Sequence, residues 1–194
     1  APYAPLDGMN EKGLAVGVLL IDTKPTNQNT KKVDITTTAI RLMLDKAKNV
    51  NEALELLSSY DMHSSANSCY HFQICDASGK SVVVEYVDNE MKVVYPDKNY
   101  QCATNFLLTN PDAEFNFGQD RYQIIDEKLS STNGKLSNHE AMQLLSDCSQ
   151  DAHKNKQGKI SKTQWSCVYD LKNKKVTICV NENYDAKYTI SVLE

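Results

Sequence analysis

The sequence lacks the features that usually mark nucleic-acid-binding and membrane-spanning proteins. Its 194 residues carry a net charge of −4 and contain no run of five like charges. Because proteins that bind nucleic acids present a basic face, this balance disfavours a nucleic-acid partner. No apolar run reaches the ~18 residues of a transmembrane helix, and no secretory signal is visible. We expect no membrane partner and a cytoplasmic location, while a signal removed before Ala1 stays compatible with the sequence.

Short catalytic and metal-binding motifs are also missing. The chain contains no GxSxG, HExxH or P-loop, and its four histidines lack ligand spacing. Its six cysteines include no CxxC pair, which disfavours a zinc site, and most lie in strand-like apolar runs. A free thiol packs there as a small hydrophobe, and such cysteines fit a reducing compartment. We therefore expect no metal and no cofactor.

The sequence does contain enough apolar material for a packed core. Apolar residues make up 41% of the chain and charged residues 24%, which is ordinary for a globular protein. The length predicts a single domain over residues 1–194, or most of one. No internal repeat and no low-complexity segment divides it.

The most informative stretch is DGMNEKGLAVGVLLI, which begins at Asp7. Gly8, Asn10 and Gly13 continue its turn signal, and the apolar run at 14–21 predicts a strand buried on both faces. Such a strand belongs to the middle of a core, yet here it follows closely on the start of the sequence. We therefore expect that the sequence begins partway through a larger fold.

Periodicity and turn residues predict the remaining elements. A helix is expected over 36–48, and a second, capped by Asn49 or Asn51, ends near Tyr60. Further along we expect strands at 69–76, 81–88, 89–95 and 101–109, helices at 121–129 and 139–148 with Asn138 as a cap, strands at 163–170, 175–181 and 187–194, and loops at 22–34, 110–118 and 149–162. This order predicts an α+β fold with antiparallel sheets.

Few residues stand out as candidates for chemistry. Asn105 lies between strand-like CAT and FLL, where an amide can donate to a developing oxyanion, although an ordinary turn asparagine is the simpler interpretation. Arg121 and Arg41 are the only arginines beside nineteen lysines, so Arg121 could make forked hydrogen bonds that lysine cannot. It could equally just begin a helix. Trp165, the only tryptophan, is expected to pack in the core.

The motif DGMNEKGLAV and its apolar continuation resemble a segment of choloylglycine hydrolases, penicillin V acylases and related linear-amide hydrolases. Four further blocks follow in the same order as in that family: CYHFQICDASGKSVVVEY after the helix pair, CATNFLL, GQDRYQII and TQWSCVYDLKNKKVTICV. The resemblance implies an N-terminal-nucleophile hydrolase with a four-layer αββα sandwich of antiparallel sheets, and a small-molecule acyl amide as the substrate.

The resemblance also implies roles for three residues. In this family a cysteine that begins the mature chain attacks the substrate carbonyl, and its own α-amine acts as the base. Asn105 matches the asparagine whose side chain binds the oxyanion, and Leu20 matches the residue whose backbone N–H is the second donor. Arg121 matches the arginine beside the nucleophile, where its charge would favour the thiolate.

The sequence departs from the family at its start. Residue 1 is Ala1, and no cysteine precedes Cys69. We therefore expect a C-terminal portion of the fold that is incomplete at its N-terminus, lacks the nucleophile and is inactive alone. A complementing N-terminal segment in another chain would supply the missing part, and a homo-oligomer is the other partner that we expect. The alternative is a non-catalytic, ligand-binding pseudoenzyme of the same fold, and an unrelated α+β protein is a third interpretation.

The spacing within the chain narrows the branch of the family. Only fifteen residues separate Asn105 from Arg121, where penicillin V acylases and bile-salt hydrolases carry a long insertion. This spacing, together with Trp165-Ser166, resembles the compact isopenicillin acyltransferase group. The sequence leaves hydrolysis and acyl transfer both open, because the two reactions share one acyl-enzyme intermediate.

Overall fold

The computed structural model describes residues 3–65, 68–111, 117–154 and 158–193. Ala1 and residues 112–116 of the expected loop at 110–118 lie outside the described residues. Within the described ranges, no helix combines the length and the apolar character that crossing a membrane requires.

The chain forms twelve strands and four helices in the part that the structure describes. The strands are β1 (Asp7–Met9), β2 (Ala15–Ile21), β3 (Val33–Ile35), β4 (Tyr60–Met62), β5 (Cys69–Cys75), β6 (Ser81–Val87), β7 (Glu90–Val94), β8 (His153–Lys154), β9 (Ile160–Ser161), β10 (Trp165–Asp170), β11 (Lys175–Val180) and β12 (Lys187–Ser191). The helices are α1 (Ala39–Lys46), α2 (Val50–Ser58), α3 (Gln119–Ser131) and α4 (Asn138–Asp147).

The first sheet is antiparallel and has the strand order β1-β2-β5-β6-β7. Helices α1 and α2 pack on one of its faces, and the main hydrophobic core lies between them and the sheet. Ile40 and Met43 contribute from the buried stripe of α1, as their spacing of three residues predicts. Asn49 caps α2 by accepting a hydrogen bond from the Glu52 amide, so one of the two expected caps is confirmed.

A fully bonded asparagine joins the first hairpin to α1. The side-chain nitrogen of Asn10 donates to the carbonyl oxygens of Leu44 at 3.0 Å and Ala47 at 2.8 Å. Its side-chain oxygen accepts from the amides of Lys12 at 3.1 Å and Leu14 at 3.0 Å. Asn10 is only 8% exposed, so these bonds form largely away from water. The opening motif thus closes the β1–β2 turn against the C-terminal end of α1.

The second sheet is antiparallel, with the order β10-β11-β12, and packs against α4. On its other side, the indole N–H of Trp165 donates to the carboxylate of Asp7 at 3.0 Å, which joins β10 to β1. Helix α3 packs on α4. The layers therefore run helix, sheet, sheet, helix. Trp165 is 39% exposed in this position, so the expectation that it packs in the core is wrong.

The segment at 101–109 was expected to be a strand, and this expectation is wrong. Among the described residues, its only ladder contact is an isolated bridge between Asn105 and Phe117. The amides of Leu108 and Thr109 donate instead to the side chain of Glu85. Because a side chain satisfies these backbone groups, the segment needs no neighbouring strand.

Strand β2 is less buried than expected. Ala15, Val16 and Ile21 are buried, but residues 17–19 are only partly covered, and Leu20 is 49% exposed. One face of the strand packs on α1, while the other faces an open space between the two sheets. Asp7 and Gly8, expected in a turn, are part of β1 and pair with β2.

Two further expectations about local structure need correction. The cap of α4 is Ser137 rather than Asn138, because Ser137 and Glu140 form a reciprocal capping box. The expected loop at 22–34 ends in β3, which pairs in parallel with β4, and the expected loop at 149–162 contains the short β8–β9 pair. Such short strands carry too few residues for a period-two pattern to be read.

Candidate active site

The structure brings Asn105, Arg121 and Leu20 together. The Nη2 atom of Arg121 donates to the side-chain oxygen of Asn105 at 2.8 Å. The side-chain nitrogen of Asn105 donates to the carbonyl oxygen of Leu20, also at 2.8 Å. Because a guanidinium can only donate, the Asn105 atom that faces it must be the oxygen. Arg121 therefore fixes which way the Asn105 amide points, and one N–H of that amide remains for another acceptor.

The backbone of Leu20 faces the same edge of the sheet as this amide. Because the Val18 N–H donates to the carbonyl of Leu6, the even-numbered residues of β2 direct their backbone groups toward the β1 edge. The Leu20 carbonyl follows this alternation, since it accepts from Asn105. Its N–H points to the same edge beyond the end of β1, where the described residues offer it no strand partner.

Arg121 is a partly buried cation without a carboxylate partner among the described residues. Its guanidinium carbon lies 5.3 Å from the centre of the Phe117 ring, a distance at which a cation is attracted to an aromatic face. Burial lowers the pKa of Arg121 from its ordinary value, but an arginine keeps its charge in proteins. The site therefore presents a fixed positive charge that forms no ion pair within the described residues, while the carboxylate of Asp120 acts on it through space.

A glycine at the start of α3 makes room for this arrangement. Gly118 has φ +88°, and a Cβ built on it would lie 2.5 Å from Nη2 of Arg121 and 3.2 Å from Cβ of Thr104. The Thr104 hydroxyl donates to the Gly118 carbonyl at 2.9 Å, which ties the turn before Asn105 to the start of α3. The sequence alone identified neither Gly118 nor Thr104 as part of the site. The available signal was a glycine, instead of a polar cap, directly before the helix that begins with Gln119.

Replacing Gly118 with alanine should displace Arg121 from Asn105. The added methyl group would occupy the place of the guanidinium, and the positive φ adds strain of about 1 kcal/mol. Gly79 is a matched control, because it has φ +90° and nothing within 4 Å of its built Cβ. We expect urea unfolding to show a larger stability loss for Gly118→Ala than for Gly79→Ala. Equal losses, with unchanged NMR signals of the Arg121 guanidinium, would contradict the contact.

A cleft of about 510 Å³ opens between the two sheets beside Arg121, a volume within the usual range for small-molecule sites. Of the three candidate residues, Arg121 is the one that lines it. The first sheet contributes Leu19 and Gln73, and the second sheet contributes Trp165 and Tyr169. Leu145 in α4 and Cys148, which directly follows α4, complete this part of the lining. A separate depression of about 540 Å³, lined by Tyr100, Tyr122 and Asp126, contains none of the three candidates.

The cysteines near the cleft are poor nucleophiles. Cys75, Cys148 and Cys167 line it, and burial raises the pKa of each thiol, for Cys167 to about 11. The positive charge of Arg121 lowers the pKa of Cys148, but burial raises this pKa by more. A thiol in this state is a weak nucleophile at neutral pH, because the thiolate is the reactive form. All six cysteines fall within the described residues and are free thiols.

The described residues also contain no cluster of three or more potential metal ligands.

Comparison with known proteins gives a family and a fold. The family model described as acyl-coenzyme A:6-aminopenicillanic acid acyl-transferase matches residues 4–185. A penicillin V acylase from Pectobacterium atrosepticum is 33% identical over 114 residues, which cover 51% of this chain. The matched region is 29% of that acylase, so this chain spans less than a third of the curated relative.

Two solved structures are similar over nearly the whole chain. A mutant of the conjugated bile acid hydrolase from Clostridium perfringens has a TM-score of 0.71 at 18% identity, covering 96% of this chain and 72% of its own. A penicillin V acylase from Agrobacterium tumefaciens has a TM-score of 0.70 at 22% identity, covering 93% of this chain and 64% of its own. At these identities the likeness shows the fold, and the expected fold class is confirmed.

Proposed function

The chain belongs to the acyl-coenzyme A:6-aminopenicillanic acid acyl-transferase family, and on this basis we propose that it forms part of a cysteine-nucleophile enzyme acting on linear amides. In this proposal residues 1–194 supply the oxyanion donors and a fixed positive charge, but not the nucleophile. The observation that carries the proposal is the hydrogen-bonded series from Arg121 through Asn105 to Leu20 at the edge of the first sheet.

The geometry suits the tetrahedral chemistry of acyl transfer. A cysteine thiolate attacks the amide carbon, and the carbonyl oxygen takes up the negative charge. The backbone N–H of Leu20 and the remaining N–H of the Asn105 amide donate to that oxygen. Arg121 holds the amide in this orientation, and its charge favours the thiolate over the thiol. The amine leaves with a proton, and the acyl thioester passes to water or to a second amine.

The nucleophile is proposed to come from a segment outside residues 1–194, in the same polypeptide or in another chain. The raised pKa values of the cleft cysteines support this, since none of these thiols is activated. Strand β1 is at the edge of the first sheet and β10 is at the edge of the second. Both contribute residues to the cleft, Asp7 from β1 and Trp165 from β10, so an added strand could pair with either edge there.

The substrate is proposed to be a small acyl amide held in the cleft beside Arg121. Its volume of about 510 Å³ accommodates a molecule of drug size. Hydrolysis and acyl transfer differ only in the acceptor that receives the acyl group, so the donors described above serve both reactions. A catalytically inert ligand-binding module is the second candidate, because a guanidinium that forms no ion pair with the described residues and lies beside a cleft also suits a carboxylate ligand.

Turnover of a chromogenic acyl amide tests this proposal. We expect no turnover above the blank by the purified 194-residue chain, and turnover by a polypeptide in which these residues are joined to the coding sequence that precedes residue 1. Clear turnover by the 194-residue chain, abolished by Asn105→Ala, would show that the nucleophile lies within it. Binding of the amide by the longer polypeptide without turnover would instead favour the ligand-binding module.

A further inference from the structure

A buried acid–base pair contacts the turn that carries Asn105. His71 in β5 and Glu85 in β6 are both 0% exposed, and Nδ1 of His71 lies 3.2 Å from Oε1 of Glu85. The other ring nitrogen of His71 donates to the carbonyl oxygen of Thr104 at 2.8 Å. The residue directly before Asn105 is therefore bonded to the interior of the first sheet.

Glu85 holds the other side of the same turn. Its carboxylate accepts from the backbone amide of Leu108 at 2.6 Å, and from the amide and the hydroxyl of Thr109 at 3.1 and 2.6 Å. Burial raises the pKa of Glu85, but the hydrogen bonds that it accepts outweigh burial and hold this pKa below its usual value. The carboxylate therefore stays ionised and remains a strong acceptor.

We propose that His71 and Glu85 are positioning residues that hold the turn at 104–109 so that the Asn105 amide meets the edge of β2. This inference rests on the proposed function in taking Asn105 as an oxyanion donor. Within the described residues, the turn lacks the ladder bonds of a strand, and Asn105 itself is fixed through its side chain and one isolated bridge. Four bonds from the pair, one before Asn105 and three after it, replace the missing ladder.

A buried pair of this kind is poorly explained by stability alone. Burying an ionised carboxylate is costly, and an apolar pair of similar volume often stabilises a core equally well. Among the described residues, every side-chain hydrogen bond that leaves the pair goes to the turn at 104–109. Neighbouring buried positions of β6, such as Val82 and Val84, instead pack in the apolar core under the helices. This distribution of contacts therefore indicates that the pair fixes the backbone of the turn at 104–109.

Two sets of variants test the proposal. Glu85→Gln keeps the shape of the side chain but weakens its acceptor capacity, and Val82→Ala on the same strand is the control for lost stability. We expect amide hydrogen exchange at Leu108 and Thr109 to accelerate about tenfold or more in Glu85→Gln, but not in Val82→Ala. In the nucleophile-bearing polypeptide, kcat should fall about tenfold in Glu85→Gln with KM within about twofold.

Thr109 supplies a test that does not depend on a core substitution being tolerated. Its side chain is exposed apart from the hydroxyl contact, so the variants should fold even if Glu85→Gln does not. Thr109→Val should lower kcat about threefold to tenfold, and Thr109→Ser, which keeps the hydroxyl, should restore it. Equal activity in Thr109→Val and wild type, or an equal loss of kcat in Val82→Ala and Glu85→Gln, would overturn the positioning role.

The two proposals fail in different ways. If the longer polypeptide turns over no amide, the proposed function fails, and hydrogen exchange at Leu108 and Thr109 alone decides whether the pair fixes the turn. If turnover occurs but the exchange rates in Glu85→Gln match those in Val82→Ala, the positioning role fails while the proposed function stands.

Discussion

Replacing Asn10 with alanine should lower the free energy of unfolding by about 3 kcal/mol. The substitution removes two side-chain bonds to carbonyls of α1 and two from amides of the β1–β2 turn. Each bond contributes about 1 kcal/mol, and backbone groups left buried without a partner cost about 1–3 kcal/mol more each, offset in part where water can enter. Urea unfolding followed by circular dichroism measures the change.

Two companion variants sharpen this test. Asn10→Asp keeps the acceptor for Lys12 and Leu14 but loses both donors to α1, so we expect a loss at least as large at pH 7. Glu11→Ala changes an exposed neighbour in the same turn and should stay within about 0.5 kcal/mol of wild type. A loss under about 1 kcal/mol in Asn10→Ala would mean that the hairpin and α1 are held together by packing alone.

Replacing Asn105 should reduce kcat by about 100-fold to 1,000-fold in the nucleophile-bearing polypeptide, because removal of one oxyanion donor has effects of this size. Asn105→Asp separates two explanations. An aspartate would keep the contact with Arg121 and even strengthen it, but it cannot donate to an oxyanion when ionised. We therefore expect Asn105→Asp to be as impaired as Asn105→Ala in steady-state assays with a chromogenic amide.

Asn110 is the matched control for Asn105. It lies at the end of the same turn, is exposed, and contributes a backbone amide that donates to the Leu107 carbonyl. Asn110→Ala should leave kcat and KM near their wild-type values. Near-normal turnover by Asn105→Asp would contradict the donor role and would leave Asn105 as a residue that merely anchors Arg121.

The parts of the fold that depend on local signals could be predicted from the sequence. The helices at α1 and α2 follow from their apolar spacing and from Asn49, and the hairpin of β5 and β6 follows from apolar runs on either side of DASGK. The segment at 101–109 could not be predicted in this way. Its apolar residues look like a strand, but Glu85, some twenty residues earlier in the sequence, takes up its backbone amides.

The residues of the candidate site also differ in whether the sequence could identify them. Asn105, Arg121 and Leu20 were identified by resemblance to a family, and the structure brings them together. Their roles in chemistry stay predictions. Gly118 could not have been found as easily, because its importance depends on where the guanidinium of Arg121 lies in space. A glycine in the sequence indicates permitted backbone freedom, but not which neighbour needs the room.

The backbone groups of β2 point alternately to the two edges of the strand, and this limits how the site can vary among related proteins. The proposed donor at position 20 is a main-chain group, and its direction is set by the pairing of Val18 with Leu6. Any amino acid except proline carries that N–H, so the side chain at this position is free to change with the shape of the substrate. A single-residue insertion in the turn at 10–13 that shifted the register of β2 would instead move the buried side chains of this strand to the other face of the sheet. We therefore expect relatives to keep the length of this turn strictly while the residue aligned with Leu20 differs from one protein to the next.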